Sequence, residues 1–179
     1  MTIEPIVVDS SVGIPLVHLE PGRDAIRATV AEWRAEGRKL IVPGLFWLEV
    51  LNALSRHGYP GAAVVEALYE LDELGLATVE PDRAMRLVVI DLVERHGLTS
   101  YDALYLAVAE HWGALLATSD RALAAAAASR AIPLGDASTG HRLAEEGAHY
   151  GRLPSWPQWE GSRRYLAELR ARALAGETS

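Results

Sequence analysis

The sequence predicts an α/β fold: a doubly wound parallel sheet of about five strands, with helices on both faces and a C-terminal helical appendage. Three observations carry this expectation. Along residues 6–134, short apolar runs of strand length alternate with longer stretches of helical periodicity. Those runs are apolar throughout, as in strands covered on both faces, instead of alternating with polar residues. With 179 residues, half of them hydrophobic, the chain is long enough for one domain with a well-buried core.

Residues 6–8 form a β-branched run that stops at Asp9, Ser10 and Ser11, the pattern of a buried strand ending in a polar turn. A helix is expected over 24–34, closed by Gly37, and a second strand over 40–42, closed by Pro43 and Gly44. The helix expected over 45–57 is mostly apolar but carries Glu49, Asn52 and Arg56 on one narrow stripe, which faces either water or a buried polar site. A turn at 58–61, a helix at 62–74 and a third strand at 76–79 follow. Pro81 opens a helix over 82–95, ended by His96 and Gly97.

Thr99 is placed to cap the next helix, 99–112, with Asp102 in its first turn, and Gly113 stops it. The fourth strand spans 114–118, Asp120 opens an Ala-rich helix over 122–130, and the last strand covers 131–134. Two consecutive helices between the third and fourth strands cannot both run antiparallel to the sheet, and periodicity does not say how the extra pass is routed. Residues 1–135 are therefore read as the core domain and 136–179 as an extension with a basic helix at 163–174.

Composition narrows the chemistry. The absence of cysteine removes disulfides, thiolate catalysis and cysteine zinc sites, and fits a reducing cytoplasm. No basic-then-apolar leader is evident, and the longest apolar stretch, 40–54, is short and contains Glu49 and Asn52, so no membrane segment is expected. A net charge of −7 argues against a broad basic surface for nucleic acid. The balance is uneven: residues 151–179 carry Arg152, Arg163, Arg164, Arg170 and Arg172 against three Glu, a local +2, which leaves −9 for residues 1–150.

The polar residues that interrupt apolar elements fall at one place. Ten residues down a helix at about 1.5 Å each and five back along a strand at about 3.3 Å each cover nearly equal distances, so Asp102 and Asp120 finish at the same end of the layer. Asp9 ends the first strand, and Glu49 lies in the second turn of the helix after the second. All four acids thus point to the C-terminal edge of a parallel sheet, where sites form. Two such charges about 4 Å apart repel by roughly 4 kcal/mol at an effective dielectric of 20, so a cluster needs a compensating cation. Mg²⁺ or Mn²⁺, with oxygen ligands, supplies one. Each acid also has a structural alternative: Asp9 and Asp120 as N-caps, Asp102 in a capping box with Thr99, and Glu49 as a surface residue beside Arg56.

The order VVDSSV, FWLEVLNAL, TSYDALYLAVA and ATSD, spanning about residues 5–134, resembles the PIN domain nucleases, and among them the VapC-type toxins of bacterial toxin–antitoxin pairs. The resemblance implies a doubly wound parallel sheet, RNA cleavage with Mg²⁺ or Mn²⁺, a small antitoxin protein as partner, a homodimer and a cytoplasmic setting. Carried over residue by residue, Asp9 and Asp102 are the principal metal ligands, Glu49 and Asp120 complete the site directly or through water, Thr118 is the hydroxyl residue before the last acid, and Asn52 and Arg56 line the cleft. The extension after residue 135 departs from the pattern of the small toxins. Competing readings are a PIN nuclease outside a toxin–antitoxin pair and an inactive PIN scaffold acting as a binding module. A haloacid-dehalogenase-like phosphohydrolase or a receiver-like module would need a lysine late in the chain, and the only lysine is Lys39.

Overall fold

The computed structural model describes residues 3–18 and 22–134. In chain order these form β1 (Ile6–Val8), α1 (Ser10–Val17), α2 (Arg23–Ala35), β2 (Leu40–Pro43), α3 (Leu45–Arg56), α4 (Gly61–Asp72), β3 (Ala77–Val79), α5 (Arg83–His96), α6 (Ser100–Trp112), β4 (Leu115–Thr118), α7 (Arg121–Ala127) and β5 (Ala131–Pro133). The strands make one parallel sheet in the order β3-β2-β1-β4-β5, with Val7 of β1 opposite Ile41 on one side and Leu116 on the other. The expected doubly wound α/β architecture is therefore present. The extension at 136–179, with its basic helix, lies outside the described residues.

The order of the strands explains the covering of the sheet. From β1 the chain steps outward to β2 and β3, then returns past β1 to β4 and β5. Because crossovers between parallel strands are right-handed, the two directions of travel put their helices on opposite faces. Hence the central strands are enclosed on both sides: Ile6, Val7, Val8, Ile41, Val42 and Leu116 are all buried. Reversal at β1 makes the gap between the C-terminal ends of β1 and β4 the switch point of the sheet.

Three local outcomes differ from, or go beyond, the sequence reading. The polar turn expected at residues 9–11 is the start of a helix, α1. Ser10, Ser11, Gly13 and Pro15 are poor helix formers, and Pro15 also removes one helical N–H. Burial of Val12, Leu16 and Val17 overrides that preference, while the Asp9 carbonyl accepts from the N–H groups of Val12 and Gly13. Gly13 is required there because a Cβ would overlap Cε2 and Cζ of the buried Phe46 ring on α3.

The Ala-rich helix expected to reach residue 130 stops at Ala127 and gives way to a 3₁₀ turn, Ala128–Arg130, with Ala128 at φ 50°. A run of alanines carries no stop signal, so the break is set by the approach to β5. The extra helix between β3 and β4 is accommodated as an outer layer: α6 packs against β1, β2 and β4, and α5 packs against α6. In consequence Leu87, Val88 and Ile90 of α5 are exposed. Among the described residues, no helix is long and apolar enough to cross a membrane.

Candidate active site

Asp9 follows β1 directly, and its N–H donates to the Ala117 carbonyl at 3.0 Å, which holds the residue against the end of β4. Its side chain is only 5% exposed. Two hydroxyls donate to Asp9 Oδ2, that of Thr118 at 2.8 Å and that of Ser11 from the first turn of α1. The same hydroxyls accept backbone N–H groups from the loop after β4: Ser119 N–H to Ser11 Oγ at 2.9 Å and Asp120 N–H to Thr118 Oγ1 at 3.0 Å. Switch-point geometry thus latches β1, α1 and the β4–α7 loop around one carboxylate. Burial pushes the Asp9 carboxyl above its ordinary value; the two hydroxyls partly offset this, and the charge of Asp102 adds to it.

Glu49 lies on the flank of α3, whose Phe46, Val50 and Leu54 face the core. It is half-buried and accepts a hydrogen bond from the Tyr105 hydroxyl of α6, which ties the two helices together at this edge. Burial pushes the Glu49 carboxyl up to about 7, with the Tyr105 hydroxyl opposing the shift and the charges of Asp9 and Asp102 reinforcing it. Tyr105 itself is raised above its ordinary value, by burial first and then by Asp9 and Glu49. Asp102 enters through the α6 cap: its N–H donates to Thr99 Oγ1 at 3.1 Å, and that hydroxyl donates to Asp102 Oδ2 at 2.6 Å.

Three of the four expected acids, Asp9, Glu49 and Asp102, therefore act electrostatically on one another. Asp120 is 4% exposed and linked to Asp9 through the Thr118 hydroxyl; its Oδ1 caps α7 by accepting from Leu123 N–H at 2.6 Å. The capping roles weighed for Asp102 and Asp120 are thus realised, in residues that also border the switch point. Thr118 is buried at the centre of this network, whereas Asn52 and Arg56 are exposed further along α3, Arg56 in contact with another group. Ser10, Ser11 and Tyr105 were not singled out by sequence. The two serines immediately after the strand-ending acid, and a tyrosine three residues after Asp102, are the signals that mark them.

The donor set suits a hard divalent cation. The leading influences on Asp9 and Glu49 are burial, hydroxyl hydrogen bonds and the charges of neighbouring acids, with no positive charge among them. Among the described residues, Ser119 Oγ is the one buried side-chain oxygen or nitrogen without a hydrogen-bond partner, and it sits between Thr118 and Asp120. No three Asp, Glu or His side chains among the described residues are already gathered at coordinating distance.

Similar proteins place this arrangement in context. The fold is similar to that of PAE2754 from Pyrobaculum aerophilum, at 26% identity and a TM-score of 0.53 over 79% of this chain and 90% of that one. It is also similar to a chain of a toxin–antitoxin complex from Klebsiella pneumoniae, at 16% identity and TM-score 0.55, covering 72% of this chain and 96% of that one. A third likeness is to VapC20 of Mycobacterium tuberculosis, a sarcin-ricin-loop-cleaving toxin, at 19% identity and TM-score 0.57 over 72% of this chain and 99% of that one. No curated protein matches the chain in sequence. The sequence model of the PIN domain matches residues 6–129, from the first residue of β1 to the turn before β5, and the chain belongs to the PIN domain family.

Proposed function

We propose that this chain is an endoribonuclease that hydrolyses RNA phosphodiester bonds with Mg²⁺ or Mn²⁺, acting as the toxin of a toxin–antitoxin pair. One observation carries the reading: the Asp9 carboxylate buried at the switch point and held there by the Ser11 and Thr118 hydroxyls, with the charge of Asp102 acting on it and on Glu49. Asp9 and Asp102 are assigned as principal ligands, and Glu49 and Asp120 as ligands directly or through water. When bound, the metal makes a water nucleophilic near neutral pH and steadies the leaving oxygen. The chain's own part is positional. Ser11 and Thr118 fix the Asp9 carboxylate, Tyr105 fixes Glu49, and Thr99 fixes Asp102. Asn52 and Arg56 are assigned to the cleft wall along α3.

The partner follows from the same reading. A structural neighbour seen in a toxin–antitoxin complex supports a small antitoxin protein, and VapC20 supports an RNA substrate. The exposed Leu87, Val88 and Ile90 of α5 offer a surface for a second copy, in a homodimer acting in the cytoplasm. The decisive test is cleavage of single-stranded RNA by the purified full-length chain, with Mg²⁺ or Mn²⁺ against EDTA, for wild type and Asp102→Asn. Cleavage that needs metal and drops by more than about 100-fold in the variant is expected, since even the outer partners of metal ligands cost about 10–100-fold. Cleavage indifferent to EDTA, or unchanged in Asp102→Asn, overturns the metal-site assignment. No cleavage by wild type leaves the fold acting as a binding module.

A further inference from the structure

We infer that Tyr101 is the stacking platform for an unpaired base next to the scissile phosphate. The inference rests on the ribonuclease reading above and adds a substrate contact to it. Tyr101 lies in the first turn of α6, immediately before Asp102. Tyr101 is 60% exposed, and Trp112 at the other end of the helix is exposed too, while the stretch between them is closely packed: Ala103, Tyr105, Leu106, Ala107, Val108 and Ala109 are all buried. Among the described residues Tyr101 takes part in none of the aromatic contacts, and its hydroxyl makes no hydrogen bond. Among the described residues, no aromatic or hydrogen-bonding partner accounts for a tyrosine there.

Its position does. Residues three and four apart on a helix are neighbours, so Tyr105 lies one turn below both Tyr101 and Asp102. Helical side chains lean toward the helix N-terminus, which carries the Tyr105 hydroxyl up toward that pair, and it is this hydroxyl that donates to Glu49. Tyr101 thus lies at the N-terminal end of α6, one turn from Tyr105 and beside Asp102, whose charge acts on Asp9 and Glu49. A phosphate held at the acids leaves its own nucleoside within reach of the rim, and an aromatic face accepts any base that is not already stacked in a duplex. Because the core domain is acidic, binding energy from an uncharged ring is also the kind of contact that does not depend on basic side chains.

The experiment compares Tyr101→Ala, Tyr101→Phe and wild type on a single-stranded oligoribonucleotide and on the same sequence in a duplex, with Mn²⁺ present. Tyr101→Ala is expected to raise KM for the single strand about tenfold with kcat within about twofold, a change equivalent to about 1.4 kcal/mol and at the lower end of what a base–aromatic stack contributes. Tyr101→Phe, which keeps the ring, is expected to match wild type, and preference for the single strand is expected to shrink in Tyr101→Ala alone. An oligonucleotide with 2-aminopurine beside the cleavage position gives a readout independent of turnover: its fluorescence is quenched on binding to wild type and not to Tyr101→Ala. An unchanged KM and quench in Tyr101→Ala overturns the stacking role and leaves the nuclease reading standing, and a Tyr101→Phe variant as impaired as Tyr101→Ala overturns it too. If wild type cleaves nothing, the nuclease reading falls and the 2-aminopurine quench alone decides on Tyr101.

Discussion

Glu49 has a carboxyl held at about 7 from an ordinary 4.5, and Asp9 is shifted in the same direction, so the metal-free folded chain binds protons that the unfolded chain has released. Stability from these groups is full below about pH 4.5 and is lost as pH rises through about 7, because folding then requires charged carboxylates to remain buried together. Metal affinity has the opposite slope, since a cation competes with the same protons. Thermal unfolding in EDTA is therefore expected to show a falling midpoint between pH 5 and 8, with Glu49→Gln flattening much of the fall, and added Mn²⁺ is expected to raise the midpoint most at pH 8. A metal-free midpoint with the same pH slope in wild type and Glu49→Gln contradicts the coupling. At this scale the mutual influence of Asp9, Glu49 and Asp102 was legible in sequence because these acids border apolar elements that meet at one sheet edge, whereas the Asp120 carboxylate caps α7. The parts of Ser11 and Tyr105 were not legible, since a serine after a strand and a tyrosine in an apolar helix are equally at home in a turn and in a core.

Strands and helices with strong patterns emerge from sequence nearly as they stand, down to the Thr99 cap, whose side chain accepts from Asp102 N–H; Asp82, expected as the first residue of its helix after Pro81, is instead the cap of α5 and accepts from Met85 N–H. The failure at α1 is instructive because it concerns an element at the site. In α1 the local preferences of Ser, Gly and Pro oppose a helix, and contacts with α2, α3, α4 and β4 impose one. The point of contact with α3 is narrow enough to test. Gly13→Ala drives a methyl into the edge of the Phe46 ring, which is wholly buried and cannot swing outward without disturbing α3. Although alanine is the better helix former, the variant is expected to be destabilised by about 1–3 kcal/mol through overpacking, measured by urea unfolding. A stabilised Gly13→Ala would mean that helix propensity, and not the α1–α3 contact, governs this turn.

Across the whole molecule, charge is divided unevenly along the sequence. The acids at the switch point belong to a stretch, residues 1–150, with a net charge of −9, whereas residues 151–179 carry five arginines and a local +2. A site that gathers carboxylates around a metal has little positive charge left to attract a polyanion, and arginine supplies planar, permanently charged forks suited to phosphate. Under the proposed function, residues 1–135 are expected to hold the metal and the arginines of the extension to bind phosphates. Deleting residues 151–179 is accordingly expected to leave Mn²⁺ binding by calorimetry unchanged while raising KM for RNA and lessening its dependence on salt. Each phosphate that is no longer neutralised by an arginine lowers the slope of log affinity against log salt by about 0.7 for a single strand. Loss of metal binding in the truncated chain would show that the extension is part of the metal site, and an unaltered salt slope would show that its arginines do not meet the substrate.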